Sequence, residues 1–417
     1  MRVLWFCNMP IVPEDQGYSG TWLNVMASGL IATGKLELGT VALGARKGVV
    51  SQNCGSIKQW LVPGNLRISM DGLPPSKIIR ALQEITESFK PDIINIWGAE
   101  YYFGLLTARG ILKFPSVLTL QGVKYRIAAC YEGFMTKAEQ QASRGFIEIL
   151  LGTSIEKQKS SLKKWEPFEA EIMAGHHWTI CQTPWQEAQI KSHNSDAHVL
   201  RLDLPLRNVF ERTHGWKGPS DKVRLFCSAP YITPAKGLHI VIRALAILKR
   251  RHPSIQLRIA GDRPCVGIKR DGYLHWLAGE ICKLGLNDNI CWLGRLSDEQ
   301  IVNELSSVSA MVIPTFIESY CMALVESMRI GTPTVVSYTG GTSYLGKDEE
   351  TCLFFPPGDD AMCAYQVNRV LTDQSLALRL SRQSKEIVLM RNDRAKIIKK
   401  QVEIYQGVLS AAKDANL

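Results

Sequence analysis

Short apolar runs alternate with stretches of helical period along most of this chain, and the alternation restarts at Val223. Strand-like runs occur at 2–7 (RVLWFC), 92–97 (DIINIW), 116–120 (SVLTL), 223–228 (VRLFCS), 256–260 (QLRIA), 290–293 (ICWL), 310–315 (AMVIPT) and 333–337 (PTVVS). Between many of them, residues 77–89, 237–250, 273–285, 298–307 and 321–330 repeat apolar side chains at helical spacing. A helix between two strands returns the chain to its starting edge, so such strands pair in parallel. Near-continuous apolar strands suit sheets covered on both faces. The expected fold class is therefore α/β with parallel sheets.

Residues 205–222, with Pro205, Gly215, Gly218, Pro219 and mixed charge, read as a linker between two α/β domains of similar size. A length of 417 residues suits two or three domains. The last segment, 375–411, reads as helical with a break at Asn392-Asp393 and a long amphipathic end.

Several function classes are disfavoured. No window of about 18 uncharged apolar residues exists, since the candidate 238–249 contains Arg243 and stops at Arg250-Arg251. The apolar run at the N-terminus is broken by Asn8 and Pro10. That is short for a secretory signal and reads as a first buried strand. Eleven cysteines lie scattered without a CxxC or zinc-ligand spacing, which points to buried thiols and a cytoplasmic protein. A net charge of +10 favours anionic partners such as nucleotides or phospholipids. No zinc finger, RNP-type strand or basic heptad region supports nucleic acid as the partner. Residues 157–165 (KQKSSLKKW) carry four lysines. They read either as a solvated helix face or as contact with an anionic membrane surface.

Two motif matches mislead. GTSYLGK at 341–347 fits GxxxxGK, but Asp348 stands where a P-loop needs Ser or Thr. No GxGxxG follows a strand, so the nicotinamide and flavin fingerprint is absent.

The most informative segment is 310–333, AMVIPTFIESYCMALVESMRIGTP. It reads as a buried strand, a short loop, and a helix from about Tyr320 to Ile330 capped by Ser319, with Gly331 and Pro333 as stop signals. A helix N-terminus past the carboxyl end of a parallel strand is where α/β sheets receive phosphates. Glu318 lies in the loop and Glu326 two turns into the expected helix. Eight helical residues rise roughly 12 Å, beyond the about 5–9.5 Å of a glycosidase carboxylate pair. The spacing suits two carboxylates accepting hydrogen bonds from separate hydroxyls of a long ligand. It equally suits a helix cap at Glu318 and a surface ion pair at Glu326.

The E-x7-E from Glu318 to Glu326, with AMVIPT before it and GTPTVVS after it, resembles the signature of the group 1 glycosyltransferases, the retaining GT-B enzymes of glycosyltransferase family 4. KGLHIVIRALAILKRRHPSIQLRIAGD, ICWLGRLSDEQI, GTPTVVSYTGG and LFFPPGD agree in order and spacing. PDIINIWGAEYYFG, PSVLTLQG and the turn with Gly17 and Gly20 fit in the first half, where the resemblance is looser. It implies two Rossmann-like domains facing across a cleft: an acceptor domain at 1–206, a donor domain at 207–395, and a terminal helix, 396–417, crossing back onto the first.

The resemblance also implies roles. Glu326 would accept from the nucleotide ribose, and Glu318 would face the donor sugar. Ser319, Tyr320, Cys321, Met322, Ala323 and Leu324 would line the donor at the helix start. Lys236 would neutralise the diphosphate leaving group, Gly20 would let a loop approach the phosphates, and Arg295 and Leu296 would border the base. Gln121 and Trp97 would lie on the acceptor side. Two positions depart from the family: Tyr231 stands where members usually carry Arg, and Gln121 where many carry His. Arg263 is the expected substitute for the missing Arg, with His176 and His177 as alternative histidines. No Asp-x-Asp follows a strand, so neither a metal nor another cofactor is expected. The implied reaction is hexosyl transfer with retention from a nucleotide-diphosphate sugar to a lipid-linked glycan, as in bacterial capsular or surface polysaccharide synthesis. A nucleotide-sugar 2-epimerase and a non-catalytic sugar-nucleotide-binding subunit are the alternatives.

Overall fold

In the computed structural model, which describes residues 1–11, 21–45, 47–213, 215–219, 222–263 and 272–414 apart from the side chains of Thr21 and Ile147, the apolar runs form two sheets. The first contains β1 (Arg2–Cys7), β2 (Glu37–Gly44), β3 (Val50–Cys54), β4 (Ile57–Pro63), β5 (Ile93–Trp97), β6 (Ser116–Thr119), β7 (Trp178–Cys181) and β8 (His198–Arg201). Their order is β3-β4-β2-β1-β5-β6-β7-β8. All neighbours are parallel except β3, a hairpin partner of β4. The second contains β9 (Arg224–Ser228), β10 (Gln256–Ala260), β11 (Ile290–Trp292), β12 (Ala310–Ile313), β13 (Thr334–Ser337) and β14 (Leu353–Phe355). Its order is β11-β10-β9-β12-β13-β14, parallel throughout. The expected α/β class holds. In each sheet the order reverses beside the first strand, the topology that opens a ligand crevice at the strands' carboxyl ends.

The chain divides into two compact units. Unit 1 comprises Met1–Lys124, Trp165–Arg207 and Asn392–Leu417; unit 2 comprises Tyr125–Lys164 and Asn208–Arg391. The change after Arg207 falls beside the expected boundary at 206. The second change falls at Asn392 rather than 396, where the helix Gln374–Arg391 ends and the helix Arg394–Asp414 begins.

The expectation of one continuous domain over 1–206 is corrected by residues 125–164. Tyr131, Met135 and Ile155 from that segment are buried in the apolar cluster of unit 2, with Leu238, Val241, Tyr273 and Phe316. Arg243 pairs with Glu139, and the backbone N–H of Gly272 donates to Glu148 at 3.0 Å. Sequence adjacency to β6 and β7 suggested unit 1; the buried apolar surface lies in unit 2.

Unit 1 is closed by the terminal helix. Ile397, Ile398, Val402, Ile404, Tyr405 and Val408 are buried beside Leu23, Met26 and Leu30. This is the amphipathic run expected from sequence. The Tyr405 hydroxyl accepts from Trp5 Nε1 at 2.9 Å and donates to Asn95 Oδ1 at 3.0 Å. Burial favours the neutral phenol and pushes its pKa up. The ten described cysteines are free thiols. No described helix is long and apolar enough to cross a membrane.

Replacing Tyr405 with Phe strips the buried Trp5 N–H of its acceptor. An unsatisfied buried group costs about 1–3 kcal/mol. The expected outcome for Tyr405→Phe is an unfolding free energy lowered by that amount, seen as a lower urea midpoint with an unchanged slope in tryptophan fluorescence.

Candidate functional site

Three loops leave the carboxyl ends of adjacent strands of unit 2: 229–237 after β9, 314–321 after β12 and 338–341 after β13. They are laced together through backbone. The N–H of Phe316 donates to Ala235 O at 2.8 Å, and that of Gly341 to Glu318 O at 2.7 Å. Thr339 Oγ1 donates to Phe316 O at 2.7 Å, and Ser337 Oγ to Thr315 O. Two glycines permit this approach. Gly237, at φ +70°, would place a Cβ 1.9 Å from Pro314 O; Gly340, at φ +49°, would place one 2.0 Å from Glu318 O. Neither position tolerates a side chain without moving backbone.

The lacing sets Lys236 against Glu318, with Nζ 2.6 Å from Oε1. Burial pulls the lysine pKa down, but the Glu318 charge and hydrogen bond raise it above its ordinary value. The lysine therefore stays cationic at neutral pH and loses its charge as pH rises through that raised value. Beside it, the Cys321 thiol is buried and held protonated, first by burial and then by the Glu318 charge.

The helix after Glu318 runs from Met322 to Ile330, with Cys321 at the N-cap and no side-chain cap bond. The expected start at Tyr320 under a Ser319 cap is thus corrected by two residues. Ser319 and Tyr320 belong to the loop, where they are half-buried. Glu326 is then the fifth helical residue, about one turn in, and is 8% exposed. The separation from Glu318 is consequently not eight residues of helical rise, and Glu326 is buried rather than on the surface. Met322 and Ala323 occupy the first turn, where backbone N–H groups lack intrahelical acceptors. Leu324 is buried.

Arg263 and Arg295 lie past the carboxyl ends of β10 and β11, on the same edge of the sheet as Lys236 and Glu318. Both are exposed, and Arg295 Nε lies 3.6 Å from Asp262 Oδ2. Leu296 is half-buried after Gly294. Tyr231 is 59% exposed in the loop that carries Lys236. Gly17 and Gly20 lie outside the described residues. A cavity of ≈690 Å³ elsewhere in unit 2, lined by Asn208, Arg212, Trp216, Lys217 and Asn303 among others, contains none of these residues.

In unit 1, Gln121 follows β6, half-buried, and its carbonyl accepts from Gln186 Nε2 at 3.2 Å. Trp97 does not present a surface to an acceptor. It is 3% exposed and packs on Trp5 and Trp22 at 5.0 and 5.2 Å between ring centroids. The polar chemistry of that stretch belongs to Glu100, which the sequence reading did not single out. Glu100 Oε1 accepts from the Gly122 N–H at 2.6 Å, and burial pushes its carboxyl up. His176 follows the helix Glu166–Ala174 rather than lying on it. It is buried, with Nδ1 on Ile172 O at 2.7 Å and Nε2 on Thr107 Oγ1 at 2.9 Å, a structural environment. Trp165 donates from Nε1 to Ala99 O, so it does not extend the lysine run outward.

Phe134 and His239 were also missed. Phe134 has φ +58°, rare for a bulky residue. It is 72% exposed, with its ring edge-on to Phe316 at 4.8 Å. Phe316 in turn stands two residues before Glu318. His239 Nε2 lies 2.9 Å from Gly133 O, which can only accept, so Nε2 carries the proton and Nδ1 accepts from the Tyr273 hydroxyl at 2.7 Å. The ring of His239 also stacks on Phe316. These contacts pin residues 133–134 against the loops that carry Lys236 and Glu318. No local pattern signals them, because they join positions far apart in the chain.

Residues 210–387 match the family model for glycosyl transferases group 1. An uncharacterized glycosyltransferase of Methanocaldococcus jannaschii is 28% identical over 190 residues, 45% of this chain and 46% of that one. The chain thus spans less than half the length of the curated relatives it first matches. Among solved structures, a sucrose-phosphate synthase from Thermosynechococcus elongatus superposes with a TM-score of 0.70 at 15% identity, covering 99% of this chain and 100% of that one. The Anabaena protein HepE, solved with UDP-glucose, superposes at 0.66 and 13%, covering 97% and 99%. The fold is GT-B, and residues 210–387 are similar to the group 1 glycosyltransferases.

Burial, with a smaller push from Arg243, lowers His239 to about 4, against weaker opposition from the Gly133 carbonyl and Glu139. The unfolded chain takes up this proton near pH 6.5. The stability from neutral His239 is therefore complete above pH 6.5 and is lost as pH falls from 6.5 toward 4, by about 3 kcal/mol. Buried His176, also lowered, acts in the same direction. Denaturant titrations across this range should show a flatter pH dependence for His239→Phe than for the parent protein; an unchanged slope would show that His239 is not the group involved.

Proposed function

We propose that the protein transfers a hexosyl group, with retention, from a nucleotide-diphosphate sugar bound by unit 2 to a lipid-linked glycan acceptor bound by unit 1, in bacterial surface polysaccharide synthesis. The observation that carries the reading is the Lys236–Glu318 pair at the carboxyl ends of β9 and β12, beside a helix N-terminus, within the segment of group 1 type. A fixed cation next to free N–H groups is the chemistry a leaving diphosphate needs. In this reading Lys236 moves from Glu318 to the diphosphate oxygens, and Glu318 then accepts from a sugar hydroxyl. The buried Glu326 accepts from the ribose, and Arg295 and Leu296 border the base. Arg263 supplies positive charge in place of the family arginine at Tyr231.

The acceptor hydroxyl attacks the anomeric carbon on the face from which the phosphate oxygen departs. The new C–O bond forms as the bond to phosphate breaks, and the acceptor proton passes to the leaving phosphate. Charge balance rests on Lys236 and backbone dipoles, so this reading requires no divalent metal. Binding of UDP-glucose by HepE, a protein of the same fold, supports a nucleotide-sugar donor.

Calorimetry with UDP, GDP and ADP in the presence of EDTA tests the reading. One nucleotide should bind with micromolar affinity, and Glu326→Ala should abolish binding. With the matching donor, Lys236→Ala should lower turnover by about 10²–10³-fold. Absence of binding by all three would remove the proposal. Phe134→Ala should weaken donor binding about three- to tenfold, through loss of an aromatic face beside Phe316, while Phe134→Tyr retains it. Unchanged donor affinity in Phe134→Ala would exclude that role.

A further inference from the structure

The segment 125–164, which joins unit 2, carries a short helix with four large apolar side chains in solvent. In the helix Phe146–Leu151 (FIEILL), Phe146 is 81% exposed, Ile149 58%, Leu150 75% and Leu151 68%. Four adjacent large apolar side chains in water are costly, and a patch of this kind marks an interaction surface. Glu148, the helix's one acid, is turned inward. Its carboxylate accepts from the backbone N–H groups of Gly145, at 3.1 Å, and Gly272, at 3.0 Å. The exposed face of the turn is therefore wholly apolar.

The helix that follows, Ile155–Lys164, supplies the charge. Residues 144–164 hold five cations, Arg144, Lys157, Lys159, Lys163 and Lys164, against two acids, Glu148 and Glu156. Glu156 is neutralised by Arg144 at 2.6 Å, and Lys159 pairs with Glu132. Lys157, Lys163 and Lys164 remain exposed. Lys157 and Lys164, seven residues apart, share one helix face. The Lys157 stem runs beside the end of the apolar turn, with Cγ 3.8 Å from where a Cβ on Gly152 would sit.

We propose that Phe146, Ile149, Leu150 and Leu151 insert into the interfacial layer of an anionic bilayer while Lys157, Lys163 and Lys164 meet its headgroup phosphates. A protein partner would satisfy the apolar turn, but it would not by itself account for exposed lysines bordering it that pair with no acid among the described residues. A lipid surface supplies both the apolar layer and the negative charge. The inference deepens the reading of a lipid-linked acceptor, yet its test reads membrane binding rather than transfer.

The experiment is co-sedimentation of the full chain with phosphatidylcholine vesicles, with and without phosphatidylglycerol, at low and high salt. The parent protein should sediment with phosphatidylglycerol-containing vesicles and be released by salt. The double variant Leu150→Asp/Leu151→Asp should bind at least about tenfold more weakly. Lys157→Gln/Lys164→Gln should lose the preference for phosphatidylglycerol. Nucleotide binding by calorimetry should be unchanged in both, which shows that they are folded. Absence of sedimentation by the parent, or sedimentation unaffected by Leu150→Asp/Leu151→Asp, overturns the proposal. So does self-association of the parent that the same variant abolishes, since the face would then cover a second copy. Failed vesicle binding with intact nucleotide binding removes this surface and leaves the transferase reading standing; the converse removes that reading and leaves the surface.

Discussion

The site in unit 2 depends on one close backbone approach. Gly237 lies against the carbonyl of Pro314, and the Phe316 N–H reaches Ala235 O at 2.8 Å. Because β9 and β12 are parallel neighbours, their following loops emerge at the same edge and can be joined in this way. The joint carries Lys236 on one side and Glu318 on the other. A side chain larger than hydrogen at position 237 would push the loops apart and separate the charges. The arrangement is thus fixed by backbone, and the charged side chains sit on a scaffold that they do not have to build.

The charges at this edge differ in exposure, and that difference separates their chemistry. Glu326 is buried, whereas Arg263 and Arg295 lie in solvent, where screening weakens their charges. Lys236 is kept cationic by its carboxylate partner. A lysine that stays charged is suited to balancing developing negative charge and unsuited to accepting a proton. The buried Cys321 thiol beside it, held protonated, is unsuited to acting as a nucleophile.

Much of this was legible in the chain. Parallel α/β architecture followed from the alternation of apolar strands and amphipathic helices, and the break at Asn392-Asp393 followed from local pattern. The glutamates at 318 and 326, the lysine before Gly237 and the stop at Gly331 stand within short segments whose local chemistry is nearly self-contained. The burial of Trp97, expected on the acceptor side, was not legible because an aromatic at a strand end reads alike whether it faces solvent or, as here, Trp5 and Trp22. The helix expected from Tyr320 begins at Met322, where the Cys321 carbonyl accepts from Val325 and Cys321 takes the N-cap place expected of Ser319.

The sequence by itself determined the period of each element, the residues available for charge and hydrogen bonding, and the positions where glycine allows left-handed backbone. Those properties are set within a few residues of each position. Tertiary structure alone decided that 125–164 belongs with unit 2, that His239 is held neutral between Gly133 and Tyr273, and that Phe146, Ile149, Leu150 and Leu151 stay in water. The physical reason is that burial is a property of what surrounds a residue. Neighbours brought from a hundred positions away leave no periodicity in the chain that meets them.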